Sequence, residues 1–222
     1  MTRPPGARDA RPSSTTVLVI AKEPVPGRVK TRLTPPFRPE EAARLAEAAL
    51  RDTLETVAGL PARRRVLVLA GSPGPWLPDG FEVVPQCQGG LDERIAAAFA
   101  LCDGPALLIG MDTPQITSGL LAPATRAQAW DDCDAWFGPA ADGGFWALGM
   151  ARPRPSLVRG VPMSTDRTGQ RQRQRLVEAG LAVRDLPVLR DVDTASDAAE
   201  IAALSAGRFA QAHADLYRAV AR

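Results

Sequence analysis

Residues 16–33, TVLVIAKEPVPGRVKTRL, decide how this chain is read. The first six form a short apolar run rich in β-branched side chains, as expected for a strand buried on both faces. The run gives way at once to a loop stiffened by Pro24 and Pro26 and loaded with Lys22, Arg28, Lys30 and Arg32. If 28–32 is extended, Arg28, Lys30 and Arg32 share one side; if it is helical, Arg28 and Arg32 still do. Two cations about 7 Å apart at an effective dielectric of ~20 repel by roughly 2 kcal/mol, so their convergence calls for an anion between them. A triphosphate fits that description. The competing reading is four side chains splayed into solvent.

Working outward, the strand pattern recurs at 65–70 (RVLVLA), 81–85 (FEVVP) and 106–110 (ALLIG), with segments of helical period between. Residues 40–57 place Leu45, Ala49, Leu50, Leu54 and Val57 on one stripe, with Pro39 at the first helical position. Helices are also predicted over 92–102 and 117–130, the second with Thr117 as N-cap and Pro123 as a kink. DAWFGP (134–139) and FWALGM (145–150) are strands whose connection carries the hairpin signal Asp142-Gly143. A helix over 167–179, a strand over 181–186 and helices over 196–204 and 208–220 complete the chain. This alternation predicts an α/β fold with a mainly parallel sheet covered by helices on both faces. Residues 1–14, with Arg and Pro but no apolar stretch, are expected to form a disordered tail, and 15–222 a single domain.

Composition excludes several function classes. The formal net charge is +2, too small for the global field that non-specific nucleic-acid binding needs, so no nucleic-acid partner is expected. The run QRQRQR at 170–175 reads as an exposed helix face without stacking aromatics. Cys87, Cys102 and Cys133 contain no CxxC pair, which suits a reduced, cytoplasmic setting. No run approaches the ~18 apolar residues of a membrane span, so no membrane partner is expected. Histidine occurs once, as His213, which removes histidine-dependent triads. GxSxG is absent, and valine precedes the lysine in GRVKT, so residues 27–31 are not a Walker A loop.

In an open α/β sheet, ligands bind beyond the carboxyl ends of the strands. Asp112 stands two residues past the 106–110 run, placed either to ligate a hard cation such as Mg²⁺ or to cap a short turn with Thr113 and Pro114. In GPAADGGFWALG (138–149), Asp142 opens a turn and Gly143-Gly144 admit close approach of a ligand, beside Phe145 and Trp146. Trp130, Trp136 and Trp146 otherwise read as core. Asp191 and Asp193 follow a strand and precede a helix, so either could supply a second carboxylate; Thr194 or Ser196 would cap that helix with Asp197 and Glu200 in its first turn. Gly89-Gly90 with Arg94 could meet a base, ribose or phosphate, or could be ordinary loop chemistry.

In this order, AKEPVPGRVKTRL, QGGLDERIAAAF, IGMDTP, GPAADGGFWALG and DVDT resemble an uncharacterised bacterial family within the GT-A, or nucleotide-diphospho-sugar transferase, superfamily, over about residues 16–204. VKTRL is also similar to the AKSRL-type run of the 2-phospho-L-lactate guanylyltransferases. The resemblance implies a three-layer, Rossmann-like α/β/α fold with a mostly parallel sheet, a nucleotide near the first strand, and Mg²⁺ or Mn²⁺ held by Asp112 and Asp193. The chain departs from the family pattern at Phe145-Trp146, where a tyrosine is usual, at GGLDER (89–94) and at Pro162-Met163-Ser164-Thr165. The expected activity is metal-dependent nucleotidyl transfer from a nucleoside triphosphate to a small phosphorylated acceptor, with release of pyrophosphate. Lys30, Arg28 and Asp112 are the expected catalytic residues. Lys22, Arg28, Lys30, Arg32, Gly89, Gly90 and Arg94 would bind the nucleotide, and Asp142, Gly143, Gly144, Phe145 and Trp146 the acceptor. Glycosyl transfer from a nucleotide sugar and non-catalytic nucleotide sensing are the alternatives. The sequence sets no oligomeric state.

Overall fold

Alternation along the first strand organises the molecule. In β1 (Thr16–Lys22), Val17, Val19 and Ala21 enter one apolar cluster while Leu18 and Ile20 pack into another on the opposite side of the sheet. A strand with no polar face must be covered twice. The computed structural model describes residues 13–220, so of the expected tail at 1–14 all but the last two positions lie outside the described residues.

The helix α1 (Pro39–Ala58) and the strands β2 (Arg64–Ala70) and β3 (Glu82–Pro85) follow β1, then α2 (Leu91–Phe99), β4 (Ala106–Gly110) and α3 (Ser118–Thr125). The hairpin β5 (Ala135–Pro139) and β6 (Phe145–Met150) leads to α4 (Thr168–Glu178), β7 (Val183–Asp185), α5 (Ala195–Leu204) and α6 (Arg208–Val220). The strands form one seven-stranded sheet in the order β3-β2-β1-β4-β6-β5-β7. Every strand runs parallel to its neighbour except β6, which is antiparallel to both β4 and β5.

Helices α1 and α3 cover one face through Leu50, Leu54, Val57, Leu121 and Ala124, and α2 and α4 cover the other through Ile95, Phe99 and Leu176. The result is the three-layer α/β/α arrangement expected. Beyond it, α5 and α6 pack on the outer side of α1, where Leu45 and Ala49 meet Ile201, Phe209 and Leu216.

Local chemistry sets the boundaries. Pro39 occupies the first turn of α1, and Glu41 accepts the Arg38 backbone N–H at 2.8 Å. Thr117 caps α3 as expected, its hydroxyl accepting from Leu120 N at 3.2 Å. That helix ends at Thr125 and not near 130, because Arg126 is already extended (φ −66°, ψ 163°). The predicted strand at 181–186 shortens to three residues because only Val183–Asp185 find a ladder partner, on β5. The QRQRQR face is not wholly exposed either. Gln172 is fully buried and donates to Leu157 O at 2.9 Å.

Candidate active site

The loop after β1 is neither extended nor helical across 28–32. Lys30 takes a left-handed conformation (φ 48°, ψ 38°), and Thr31–Leu33 form a single 3-10 turn. Buried Val29 and Leu33 pin the loop on either side of that reversal. Its consequence is that the Lys30 side chain is tucked under the loop, 8% exposed, with its ammonium 2.6 Å from Asp112 Oδ1 and 3.6 Å from Asp193 Oδ1. The same ammonium donates to the carbonyl of Val192. Lys30 was expected to converge with Arg28 and Arg32 on an anion; its ammonium instead bridges two carboxylates of the protein. Lys22, Arg28 and Arg32 stay exposed, with Arg32 3.4 Å from Asp193 Oδ2.

Three loops from distant parts of the chain are joined here by backbone hydrogen bonds. Val192 N donates to Asp112 O at 2.9 Å, tying the end of β4 to the 191–193 segment. Ala141 N donates to Leu189 O at 2.8 Å, tying in the β5–β6 turn. Asp112, Asp142, Asp191 and Asp193 thus face one another across a cavity of about 540 Å³ that opens beyond the carboxyl ends of β1 and β4. Asp191 is the most enclosed. Burial pushes its carboxyl up, as do the charges of Asp112 and Asp142 and, less, Asp193; Lys30 pulls the other way, and the outcome is about 7. Its Oδ1 has no hydrogen-bond partner among the described residues. The later acids are otherwise engaged: Asp197 forms a capping box with Thr194 and pairs with Arg190 at 3.0 Å.

Placement separates the remaining candidates. Arg94 lines the cavity, its guanidinium aligned by Gly89 O (3.0 Å) and Gln86 Oε1 (3.5 Å). Gly89 and Gly90 do not line it. Gly89 has φ +110°, and a Cβ there would lie 1.7 Å from Glu93 Oε2, the carboxylate that caps α2 through Gly90 N. The double glycine at 143–144 behaves similarly. At Gly143 (φ +89°) a Cβ would meet Asp166 O at 2.0 Å, so the close approach is made by the chain entering α4 and not by a ligand. Gly144 and half-buried Phe145 line the cavity, and Asp142 Oδ1 accepts from Gly144 N at 2.8 Å. Trp146 forms wall but offers no stacking face: it is 2% exposed, and its indole donates to Pro187 O at 3.0 Å.

Thr168 was missed, and Met163, Ser164 and Thr165 stood out in the sequence only as a departure from the family pattern. Met163, Ser164, Thr165 and Thr168 form one side of the cavity, and Ser164 holds φ 58°. Nothing in PMST signals that conformation. Glu23, for which the sequence suggests no role, accepts Ser72 N at 2.9 Å and packs where Gly71 (φ +119°) has no side chain, anchoring the loop to β2.

The mostly parallel seven-stranded sheet, with acids and cations at its carboxyl edge, has the nucleotide-diphospho-sugar transferase fold, as similarity to solved structures shows. A protein from Desulfovibrio desulfuricans G20, provisionally named a nucleotide-diphospho-sugar transferase, is 28% identical, with a TM-score of 0.72 over 81% of this chain and 82% of its own. CMP:2-keto-3-deoxy-manno-octonic acid synthetase complexed with CTP is 12% identical, with a TM-score of 0.53 over 86% of this chain and 98% of its own. Rv0371C from Mycobacterium tuberculosis H37Rv, in complex with manganese, is 20% identical, with a TM-score of 0.50 over 85% and 98%. No curated protein matches. Residues 45–165 match the family described as "Uncharacterized protein conserved in bacteria (DUF2064)", and the chain belongs to that family.

Proposed function

We propose that residues 15–222 act as one nucleotide-binding unit that transfers the NMP part of a nucleoside triphosphate to a small phosphorylated acceptor. The observation that carries this reading is the Lys30 ammonium set between Asp112 and Asp193, beside Lys22, Arg28 and Arg32, at the carboxyl ends of β1 and β4. The fold it shares with a CTP-bound synthetase supports it.

The donor set suits a divalent cation. Among the described residues no group of three or more His, Cys, Asp or Glu side chains is placed to hold a metal ion, but Mg²⁺ typically takes one or two carboxylates plus substrate phosphates. Asp112 and Asp193 would hold Mg²⁺ or Mn²⁺, and the manganese bound by the structurally similar Rv0371C supports that choice. When bound, the ion neutralises phosphate charge in the transition state.

The protein's own part is positioning and charge. Arg28, Arg32 and Lys22 neutralise the β- and γ-phosphates, while Lys30 fixes the two carboxylates. An acceptor phosphate oxygen attacks the α-phosphorus; its new P–O bond forms as the bond to the β-phosphate bridge breaks, and pyrophosphate leaves. That nucleophile is ionised at neutral pH, so no general base is required and the lack of a cavity histidine is no obstacle. No helix among the described residues is long and apolar enough to cross a membrane, and Cys87, Cys102 and Cys133 are free thiols; a cytoplasmic location belongs to the proposal.

The test incubates the protein with Mg²⁺ or Mn²⁺, each NTP and a panel of phosphorylated small acids and sugars, and measures pyrophosphate. Pyrophosphate formation, lost in Asp112→Ala, is expected. Nucleoside diphosphate released from nucleotide sugars, without pyrophosphate from NTPs, would replace this reading with glycosyl transfer. Tight nucleotide binding with no turnover would leave a sensing domain.

A further inference from the structure

Positive charge gathers in a second place that the reaction just described does not use. Residues 151–178 carry seven arginines against Asp166 and Glu178, in a chain of net charge +2. Arg173 is held by Asp185 through two 2.9 Å hydrogen bonds. Arg159, Arg167, Arg171 and Arg175 have no carboxylate partner among the described residues.

Arg167, Arg171 and Arg175 stand at i, i+4 and i+8 along α4, about 6 Å apart per step. Burial of Thr168, Gln172 and Leu176 fixes the rotation of the helix, so the three arginines form one flank. Like charges at this spacing disfavour a helix in isolation, and an anion across the row reverses the sign of that effect. Arg175 donates to Arg159 O, which joins the neighbouring loop to the row.

The row leads to the cavity. Ser164, Thr165 and Thr168, at and before the first turn of α4, line it. None of the three arginines lines the cavity itself; the row runs from the positive end of the helix dipole, beside Thr168, away along the flank of α4 to Arg175. The triphosphate cations lie elsewhere. They follow β1, whereas α4 packs on β5 and β7; β1 and β5 are three strand spacings apart, about 14 Å.

We propose that this row binds a second phosphate-type group of the acceptor, apart from the group that reacts. The proposal rests on the nucleotidyltransferase reading for the word acceptor, though not for the existence of the site. An extended nucleic acid is the poorer occupant, because α4 offers no aromatic side chain on which a base could stack.

Inorganic tripolyphosphate serves as the probe, in calorimetric titrations of the wild type, Arg167→Gln/Arg171→Gln and Arg28→Gln/Arg32→Gln. Two sites are expected in the wild type, each double variant losing a different one. Retention of both sites in Arg167→Gln/Arg171→Gln overturns the proposal whether or not the enzyme turns over. With an acceptor identified by pyrophosphate release, the same variant should raise acceptor KM by about tenfold, leave nucleotide KM within about twofold, and lose its effect at high salt. An unchanged acceptor KM alongside normal turnover refutes the acceptor assignment and leaves the reaction standing. Loss of an RNA oligonucleotide's binding in the variant, with acceptor KM intact, reassigns the row to nucleic acid and also refutes it.

Discussion

Replacing Lys30 with methionine tests the arrangement at the centre of the site. Met keeps most of the aliphatic stem and pays the same cost for the left-handed backbone, so the substitution removes little besides the ammonium. In the native protein that ammonium is 2.6 Å from one carboxylate and 3.6 Å from another while its side chain is 8% exposed. Removing one partner of a fully buried ion pair costs about 3–5 kcal/mol; here the stranded carboxylates regain water, which lowers the expectation to about 2–3 kcal/mol. The side chains of Asp112 and Asp193 are 44% and 39% exposed, which is the basis for that reduction. At about 2–4 °C per kcal/mol for a chain of this size, Lys30→Met should melt roughly 4–12 °C below the wild type at low salt. Asp112 and Asp193 are then free of a competing cation, so millimolar MnCl₂ should raise the melting temperature of the variant more than that of the wild type. Thermal denaturation followed by circular dichroism, with and without Mn²⁺, measures both effects. A variant that melts with the wild type, and that Mn²⁺ stabilises no further, would refute the idea that Lys30 balances a carboxylate pair built for a divalent ion.

Three further outcomes follow from the geometry. Gly143→Ala forces a Cβ to within 2.0 Å of Asp166 O at a positive φ, and should destabilise the protein by about 2–4 kcal/mol in urea titrations. Gly89→Ala, clashing with Glu93, should cost about 1–2 kcal/mol and leave nucleotide KM unchanged; an altered KM would restore Gly89 to the binding site. His213, the chain's one histidine, has its pKa lowered from 6.5 by burial, and its Nε2 has no hydrogen-bond partner among the described residues. The fold therefore favours the neutral ring, and as pH falls below 6.5 the unfolded chain gains a proton that the folded one does not, so stability drops. Urea midpoints between pH 7.5 and 5.5 should fall more steeply for the wild type than for His213→Gln, and equal slopes would be the contrary result.

Much of the fold was legible because its elements are locally over-determined. TVLVIA, RVLVLA and ALLIG are apolar on both faces and cannot sit anywhere but inside a covered sheet. Pro39 and the stripe of α1 fixed that helix almost to the residue. The order of strands was not readable, since the partner of a strand is chosen by tertiary packing. At the site, the positions of Asp112 and Asp142 just past strand ends, and of Asp193 between the last strand and a helix, were visible as spacing. What Lys30 does was not: a lysine at positive φ has no local signature, and its carboxylate partners lie far along the chain. Gly89 and Gly143 misled for a related reason. A glycine reports that something comes close, and the sequence does not say whether that is a ligand, as was supposed, or Glu93 and Asp166, as is found.

The outer cluster under α5 and α6 has a consequence in time as well as in space. It contains Leu33, from the loop that carries Lys30, and Val192, which sits between Asp191 and Asp193. Both halves of the site are therefore moored to Phe209 and Leu216, on a helix that follows the last strand of the sheet in the chain. On a ribosome the central strands emerge before this helix, so the packing that seats the cation and carboxylate loops is the last to become available.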